Sequence, residues 1–410
     1  MAQRVVVIGG GAAGFFGAIA CAEANPDVRV VLLEKTSKII AKQALSGGGR
    51  CNVTHHCFSV PQFVQHYPRG GKALKTAFRT FSASDTIAWF QKHGVKLKAE
   101  PDGRMFPVTD DSATIVNCLL QQARRHHIDI KTGTGVTALI KTEKGFKLTL
   151  STGQVLAADQ VLIATGGSAK AESYKWLQEL GLQVVPPVPS LFTFNVPASP
   201  LKPLQGVSVP KARVKIAGQK LEDEGPLLIT HWGFSGPAVL KLSAWGARTL
   251  QQLNYHFTVL INWVPDENEE SLRAFLKDFR EKSPKKVVAS NPLFGLPQRL
   301  WKALTELAEI PAEVRWAELP AKNQNKLLEA LLRCEFQVKG KTTFKEEFVT
   351  CGGLALQEVN HQTFESKKIP GLYFAGEVLD IDGITGGFNF QAAWTTGYLA
   401  GKAMAAAASK

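Results

Sequence analysis

The sequence predicts an α/β fold: a Rossmann-like nucleotide domain built from both ends of the chain, with inserted β-rich (barrel-like) and helical subdomains. Three observations carry this. Val5-Val6-Val7-Ile8 runs into Gly9-Gly10-Gly11-Ala12-Ala13-Gly14 near the start. Val161-Leu162-Ile163-Ala164-Thr165-Gly166-Gly167 is a second apolar run ending in a glycine turn. Leu372-Tyr373-Phe374-Ala375-Gly376-Glu377, followed by Gly386-Gly387-Phe388-Asn389-Phe390-Gln391, closes the chain.

Residues 4–8 form a continuous β-branched run, as expected of a strand buried on both faces. Gly9 allows the tight turn, Gly11 lets backbone amides approach a pyrophosphate, and Gly14 lets the next helix pack close to the strand. That helix is expected from Ala12 to about Ala24, its N-terminal amides aimed at phosphate. Asn25-Pro26-Asp27 ends it, and a strand from Val28 to Leu33 delivers Glu34, 20 residues beyond Gly14. An acid there accepts hydrogen bonds from adenosine ribose hydroxyls and disfavours a 2′-phosphate.

A second glycine loop, Ser46-Gly47-Gly48-Gly49-Arg50-Cys51-Asn52, gives backbone freedom against a flat ligand, a charged fork at Arg50 and small polar groups at Ser46 and Asn52. The strand ending at Ala164-Thr165-Gly166-Gly167 is expected to return the chain to the nucleotide domain. In the C-terminal segment, Glu377 is placed for a ribityl hydroxyl. Gly386 and Gly387 open a helix, expected from about Phe390 to Ala400, whose amides suit negative charge on a reduced ring. A nucleotide held at both its adenosine and its ring end points to FAD.

At 410 residues the chain has room for two or three domains. No apolar run reaches the roughly 20 residues of a bilayer span. Met1-Ala2-Gln3-Arg4 leads directly into a strand, so no signal peptide is expected. The six cysteines form no CxxC pair and no zinc spacing, so reduced thiols and a cytoplasmic location are expected, with no metal and no membrane. His55-His56 and His126-His127 lack a third ligand at metal spacing. Gly340-Lys341-Thr342 imitates the end of a phosphate-binding P-loop, but Glu335 stands where that motif needs glycine.

The formal net charge is +13. Between Lys38 and Lys98 stand ten basic residues against Asp85 alone. Phe58, Phe63, Tyr67, Phe78, Phe81 and Trp89 are interleaved with them. Basic residues with stacking aromatics suit RNA; an anionic small molecule, or a solvated surface over helix-core aromatics, are the alternatives.

These motifs together resemble the BaiN/RdsA-type family of NAD(P)/FAD-dependent oxidoreductases. The resemblance is carried by Gly9 to Gly14 with Glu34, Ser46 to Asn52, Asp110-Asp111-Ser112-Ala113, Ala164 to Gly167, Thr230-His231 through Ala238, Cys351-Gly352-Gly353-Leu354, and Gly376 through Gln391. It implies FAD, with NAD(P)H as a transient electron donor. The cofactor contacts it implies, with those read from the loops, are Gly9, Gly11, Ala13, Gly14, Glu34, Lys35, Ser46, Gly48, Arg50, Cys51, Asn52, Gly166, Gly167, Gly376, Glu377, Gly386, Gly387, Asn389 and Gln391. It implies reduction of uridine in ribosomal RNA, or redox steps on steroid-like acids or small amines. Two departures stand out: members commonly have Asn after the loop's Thr, where this chain has Thr54-His55-His56, and the segment Ser168 to Tyr174 is shorter than usual.

The Rossmann-like FAD-binding domain is expected over residues 1–187 and 346–410, a β-rich domain over 188–265 and a helical one over 266–345. The main boundary falls at Pro186-Pro187-Val188-Pro189, expected as a stiff, strand-breaking linker. The proton-donor candidates are Cys51, Cys351 and His231; Arg50 would favour a thiolate at Cys51. A flavin-bearing redox sensor or RNA-binding scaffold without turnover is the reading from another class.

Overall fold

The computed structural model describes residues 3–41, 47–343 and 349–408. Contacts divide the chain into two compact units, Met1–Ser190 with Lys345–Lys410, and Leu191–Phe344.

The first unit is organised on a five-stranded parallel sheet. Its order is Leu372–Phe374, Gln160–Ile163, Arg4–Ile8, Arg29–Leu33, Asp129–Lys131. Strands from both ends of the chain therefore lie in one sheet, two positions apart. All four residues of Gln160–Ile163 are buried, and so are Val5 to Ile8, as befits strands covered on both faces.

Helix Ala12–Ala24 packs against the C-terminal helix Phe388–Ala407. The approach is close because glycines face backbone. A Cβ on Gly397 would lie 2.5 Å from the Ala13 carbonyl oxygen, and one on Gly401 would meet the Gly17 carbonyl. Asn25 Nδ2 donates to the Ala405 carbonyl further along. The pairs 13 with 397, 17 with 401 and 25 with 405 make the helices parallel. The C-terminal helix starts nine residues before Gly397, so it projects about 14 Å beyond the level of Ala13.

Val184–Ser190 is a strand, not the expected break: it pairs antiparallel with Val349–Leu354. The ribbon has only two strands, and its register shifts between Val185 and Val188, where Pro186 and Pro187 sit. Prolines are tolerated at such an irregular, doubly edged site because no ladder N–H is required of them.

The second unit holds a seven-stranded antiparallel sheet. Its outermost strands, Cys334–Lys339 and Lys341–Thr342, are separated in sequence by Gly340 alone. A sheet whose two edges are joined by one residue curls on itself, giving the barrel-like form. Helices Glu269–Lys282, Gln298–Leu307 and Ala321–Leu332 share one apolar core with this sheet, including Trp263, Trp301 and Trp316. Residues 334–339, expected within a helical domain, thus complete the sheet. On the first of these helices Leu272 and Leu276 are buried, whereas Phe275 is exposed.

Candidate functional site

Three glycine-bearing segments of the first unit converge at the start of helix Ala12–Ala24. Gly9, at φ 115°, lies against the Ala164 carbonyl, and Gly14 lies over the Gly9 carbonyl. A side chain at either would strike backbone. A Cβ on Gly376 would come 2.8 Å from Ala13 Cβ, and Gly376 N–H donates to Thr396 Oγ1 at 2.9 Å. At Gly167 a Cβ would come 2.5 Å from both Glu377 Oε1 and Thr350 Oγ1. The first fingerprint, the Thr-Gly-Gly turn and the Gly-Glu turn are therefore one constellation.

Its two carboxylates are oriented by the main chain. Glu34 accepts from Gly10 N–H at 2.9 Å and from Thr36 N–H and Oγ1 at 2.8 Å. Glu377 Oε1 accepts from Thr350 N–H at 2.8 Å. Lys35 follows Glu34 at an exposed position.

A second cluster gathers at the start of the C-terminal helix. Gly387, the helix N-cap at φ 93°, packs so closely that a Cβ would lie 2.8 Å from Asn52 Oδ1. His55 Nδ1 lies 3.0 Å from the Gly386 carbonyl. Its ring stacks on Phe388 at 4.7 Å, and His66 stacks on the same ring at 4.3 Å. Burial pulls the His55 pKa below the usual histidine value, outweighing the carbonyl contact.

The residues fit FAD. Gly11 and Gly166, on the turns of the first constellation, and Gly48 and Gly49, on the loop leading to Asn52, have no atom within 4 Å of where a side chain would stand. Neither helix has a side-chain cap at its N-terminus, and the dipole at such an end suits anionic groups. Thr350 Oγ1 is buried beside Glu377 without a hydrogen-bond partner among the described residues, and a ligand hydroxyl would complete it.

Other expected residues are placed differently. Ser46 lies outside the described residues. Arg50 is committed to protein: its guanidinium bonds Glu100 at 2.5 Å, lies 3.6 Å from Asp110 and stacks 4.0 Å over Phe106. Its charge is thus balanced by two carboxylates, which removes the reason given for a thiolate at Cys51. Cys51, in the left-handed region at φ 63°, and Cys351 are both fully buried. His231 belongs to the second unit, exposed beside the Trp232 ring. The Asn389 amide clamps Gly383 by both its oxygen and its nitrogen. The Gln391 side chain is also a latch, fully buried, bonded to Thr54, Thr86 and Thr395.

Among the aromatics expected to stack bases, Phe63, Tyr67, Phe78, Phe81 and Trp89 are buried and only Phe58 is exposed. Their helical spacing served the core instead. Residues the sequence reading missed include Thr350 and a buried ion pair. Arg69 forms two hydrogen bonds to Asp382, which also accepts from Ser190 Oγ at 2.8 Å. Two acids flanking an isoleucine, Asp380-Ile381-Asp382, were the available signal.

The model of the HI0933-like protein Rossmann domain matches residues 3–403. The chain belongs to that family. It is 33% identical to the ribosomal RNA dihydrouridine synthase of Escherichia coli (strain K12), over 98% of both chains. It is 31% identical to the 3-dehydro-bile acid delta(4,6)-reductase of Clostridium scindens, over 98% of this chain and 99% of the relative. Among solved structures, a 3-ketosteroid-delta4-(5alpha)-dehydrogenase from Rhodococcus jostii shares the fold at TM-score 0.53 and 14% identity, covering 100% of this chain and 97% of that one. A flavocytochrome c3 fumarate reductase shares it at TM-score 0.52 and 17% identity, covering 100% and 79%. The chain is an oxidoreductase, and its cradle fits FAD. Among the described residues no helix is long and apolar enough to cross a membrane, and no group of three or more His, Cys, Asp or Glu side chains could hold a metal.

Proposed function

We propose that this chain reduces a C=C bond of uridine in ribosomal RNA to give dihydrouridine, in the cytoplasm, with NAD(P)H as the transient electron donor. The observation that carries the reading is the full-length likeness to relatives named for that reaction, at 33% and 28% identity. The +13 charge of the chain suits a polyanionic substrate.

FAD supplies hydride transfer when bound. The rest is the work of the protein. The amide end of helix Ala12–Ala24 would hold the pyrophosphate. Glu34, fixed by Gly10 and Thr36, would take the adenosine ribose, and Glu377 with Thr350 Oγ1 the ribityl hydroxyls. The farther-projecting end of helix Phe388–Ala407 would favour negative charge on the reduced ring. Asn389 and Gln391 position that helix end rather than touch the coenzyme. Uridine gains a hydride on one carbon and a proton on its neighbour, and Cys51 and Cys351, in the unit that carries the cradle, are the candidate proton sources.

Nucleoside mass spectrometry of ribosomal RNA from cells lacking the gene tests the substrate. Loss of a uridine heavier by two hydrogens, restored by the cloned gene, is expected; an unchanged amount overturns the reading. The second reading is reduction of a conjugated C=C bond in an anionic small molecule, favoured by the bile acid reductase at 31% identity. Reoxidation of the NADPH-reduced protein by enone acids, and not by an unmodified ribosomal RNA transcript, would select it.

A further inference from the structure

Seven of the ten bases between Lys38 and Lys98 divide into a paired set and a helical stripe; Lys38 and Lys96 are exposed singly elsewhere, and Lys42 lies outside the described residues. Arg50 pairs with Glu100, Arg69 with Asp382, Lys92 with Glu23 and Lys98 with Asp110. Lys72, Lys75 and Arg79 are exposed and have no ion pair to any described residue. They sit on helix Gly71–Ala77 and the turn that continues it, where Phe78 keeps αR geometry. Spacings of three and four residues put them in one stripe. Like charges so arranged repel one another, at a cost of a few tenths of a kcal/mol per pair. No acid on that helix offsets them.

The stripe is rigidly mounted. The opposite face of the helix buries Ala73, Leu74 and Ala77. Phe78 packs edge-on to Phe63 at 5.1 Å, and Phe63 packs on Phe388 at 5.0 Å. Tyr67 donates to the Phe388 carbonyl at 2.6 Å, and Gly70 is pressed against Ile381. The helix is thereby locked to the segment that opens the C-terminal helix.

We propose that Lys72, Lys75 and Arg79 form a phosphate track for the RNA substrate, carrying its backbone past the site. This rests on the RNA reading above. Seven residues of helix advance about 10 Å, and a stacked strand rises about 3.4 Å per nucleotide. Three charges therefore meet about three successive phosphates.

The test is the salt dependence of binding of a fluorescein-labelled single-stranded oligouridylate to the flavin-loaded protein. Each lost phosphate contact lowers the slope of log K against log salt by about 0.7. Lys72→Ala/Lys75→Ala/Arg79→Ala should lower it by about 2, with flavin absorbance unchanged. The charge-keeping variant Lys72→Arg/Lys75→Arg/Arg79→Lys should keep the slope, and so should Lys92→Ala, whose charge Glu23 already balances. Should the triple variant fail to fold, Lys75→Ala alone should lower the slope by about 0.7. An unchanged slope in the charge-removing variants overturns the proposal, as does absence of oligouridylate binding by the unaltered chain. Dihydrouridine in ribosomal RNA is read separately: its gene-dependent loss alongside an unchanged slope removes the track and keeps the substrate, and the converse pair of results removes the substrate and keeps the track.

Discussion

Replacing Gly397 by alanine sets two effects of known sign against each other. In a helix interior, alanine is worth about 0.5–1 kcal/mol more than glycine, so propensity alone predicts stabilisation. The packing predicts the reverse. The new Cβ would sit 2.5 Å from the Ala13 carbonyl oxygen and 3.2 Å from Ala13 Cα, in the backbone of a neighbouring helix. Overpacking of this kind costs about 1–3 kcal/mol. Because the obstacle is main chain and not a flexible side-chain end, the upper part of that range applies, and the net loss is about 1–2 kcal/mol. Urea unfolding followed by tryptophan fluorescence reads the stability. Retention of flavin through gel filtration reads whether the two helix ends keep their offset. A higher urea midpoint for Gly397→Ala, with flavin retained, would refute the close-packed geometry on which the two-ended site depends.

Three further outcomes follow from the site. Arg69→Met strands Asp382, which is fully buried, and should cost about 3–5 kcal/mol. Burial already raises the Asp382 carboxyl above the ordinary aspartate range despite Arg69. A raised carboxyl stabilises the fold fully below its unfolded pKa and loses that contribution as pH climbs through the folded value, so the Arg69→Met penalty should be largest at neutral pH and smaller in mildly acidic buffer; a penalty independent of pH refutes this. Glu34→Ala removes a charged acceptor worth about 1.5–3 kcal/mol, and should weaken FAD binding about 10- to 100-fold in a fluorescence titration of the apoprotein. Cys51→Ala should slow turnover about 100-fold or more if Cys51 donates the proton; full turnover with flavin bound assigns the proton elsewhere.

The nucleotide half of the fold was legible because its signals are local. Gly9, Gly14 and Glu34 each meet a backbone requirement within one strand–turn–helix, and Ala12–Ala24 has the extent its composition implies. The strand Cys334–Lys339 was missed although its residues alternate buried and exposed, because the helices on its N-terminal side dominated the periodicity. The ribbon strand Val184–Ser190 was obscured by three prolines, whose tolerance depends on a partner strand far along the chain. At the site, residue type singled out Glu34 and Glu377, and the structure holds each carboxylate by main-chain N–H groups. It could not reveal that Arg50, Asn389 and Gln391 spend their polar groups inside the protein, since Glu100, Gly383 and Thr54 reach them only through tertiary packing. The stacking aromatics failed for a related reason: Phe78 and Phe81 at helical spacing satisfy a core as well as a nucleobase, and only burial decides.

The ribbon joining Val184–Ser190 to Val349–Leu354 has a consequence for how this architecture diversifies. Ser190 stands opposite Val349 in its register, so the polypeptide departs and returns across a single pair of neighbouring residues. Whatever is spliced between those neighbours leaves the register of the parallel sheet untouched. Evolution can exchange, enlarge or reshape that cassette while the redox chassis keeps its dimensions.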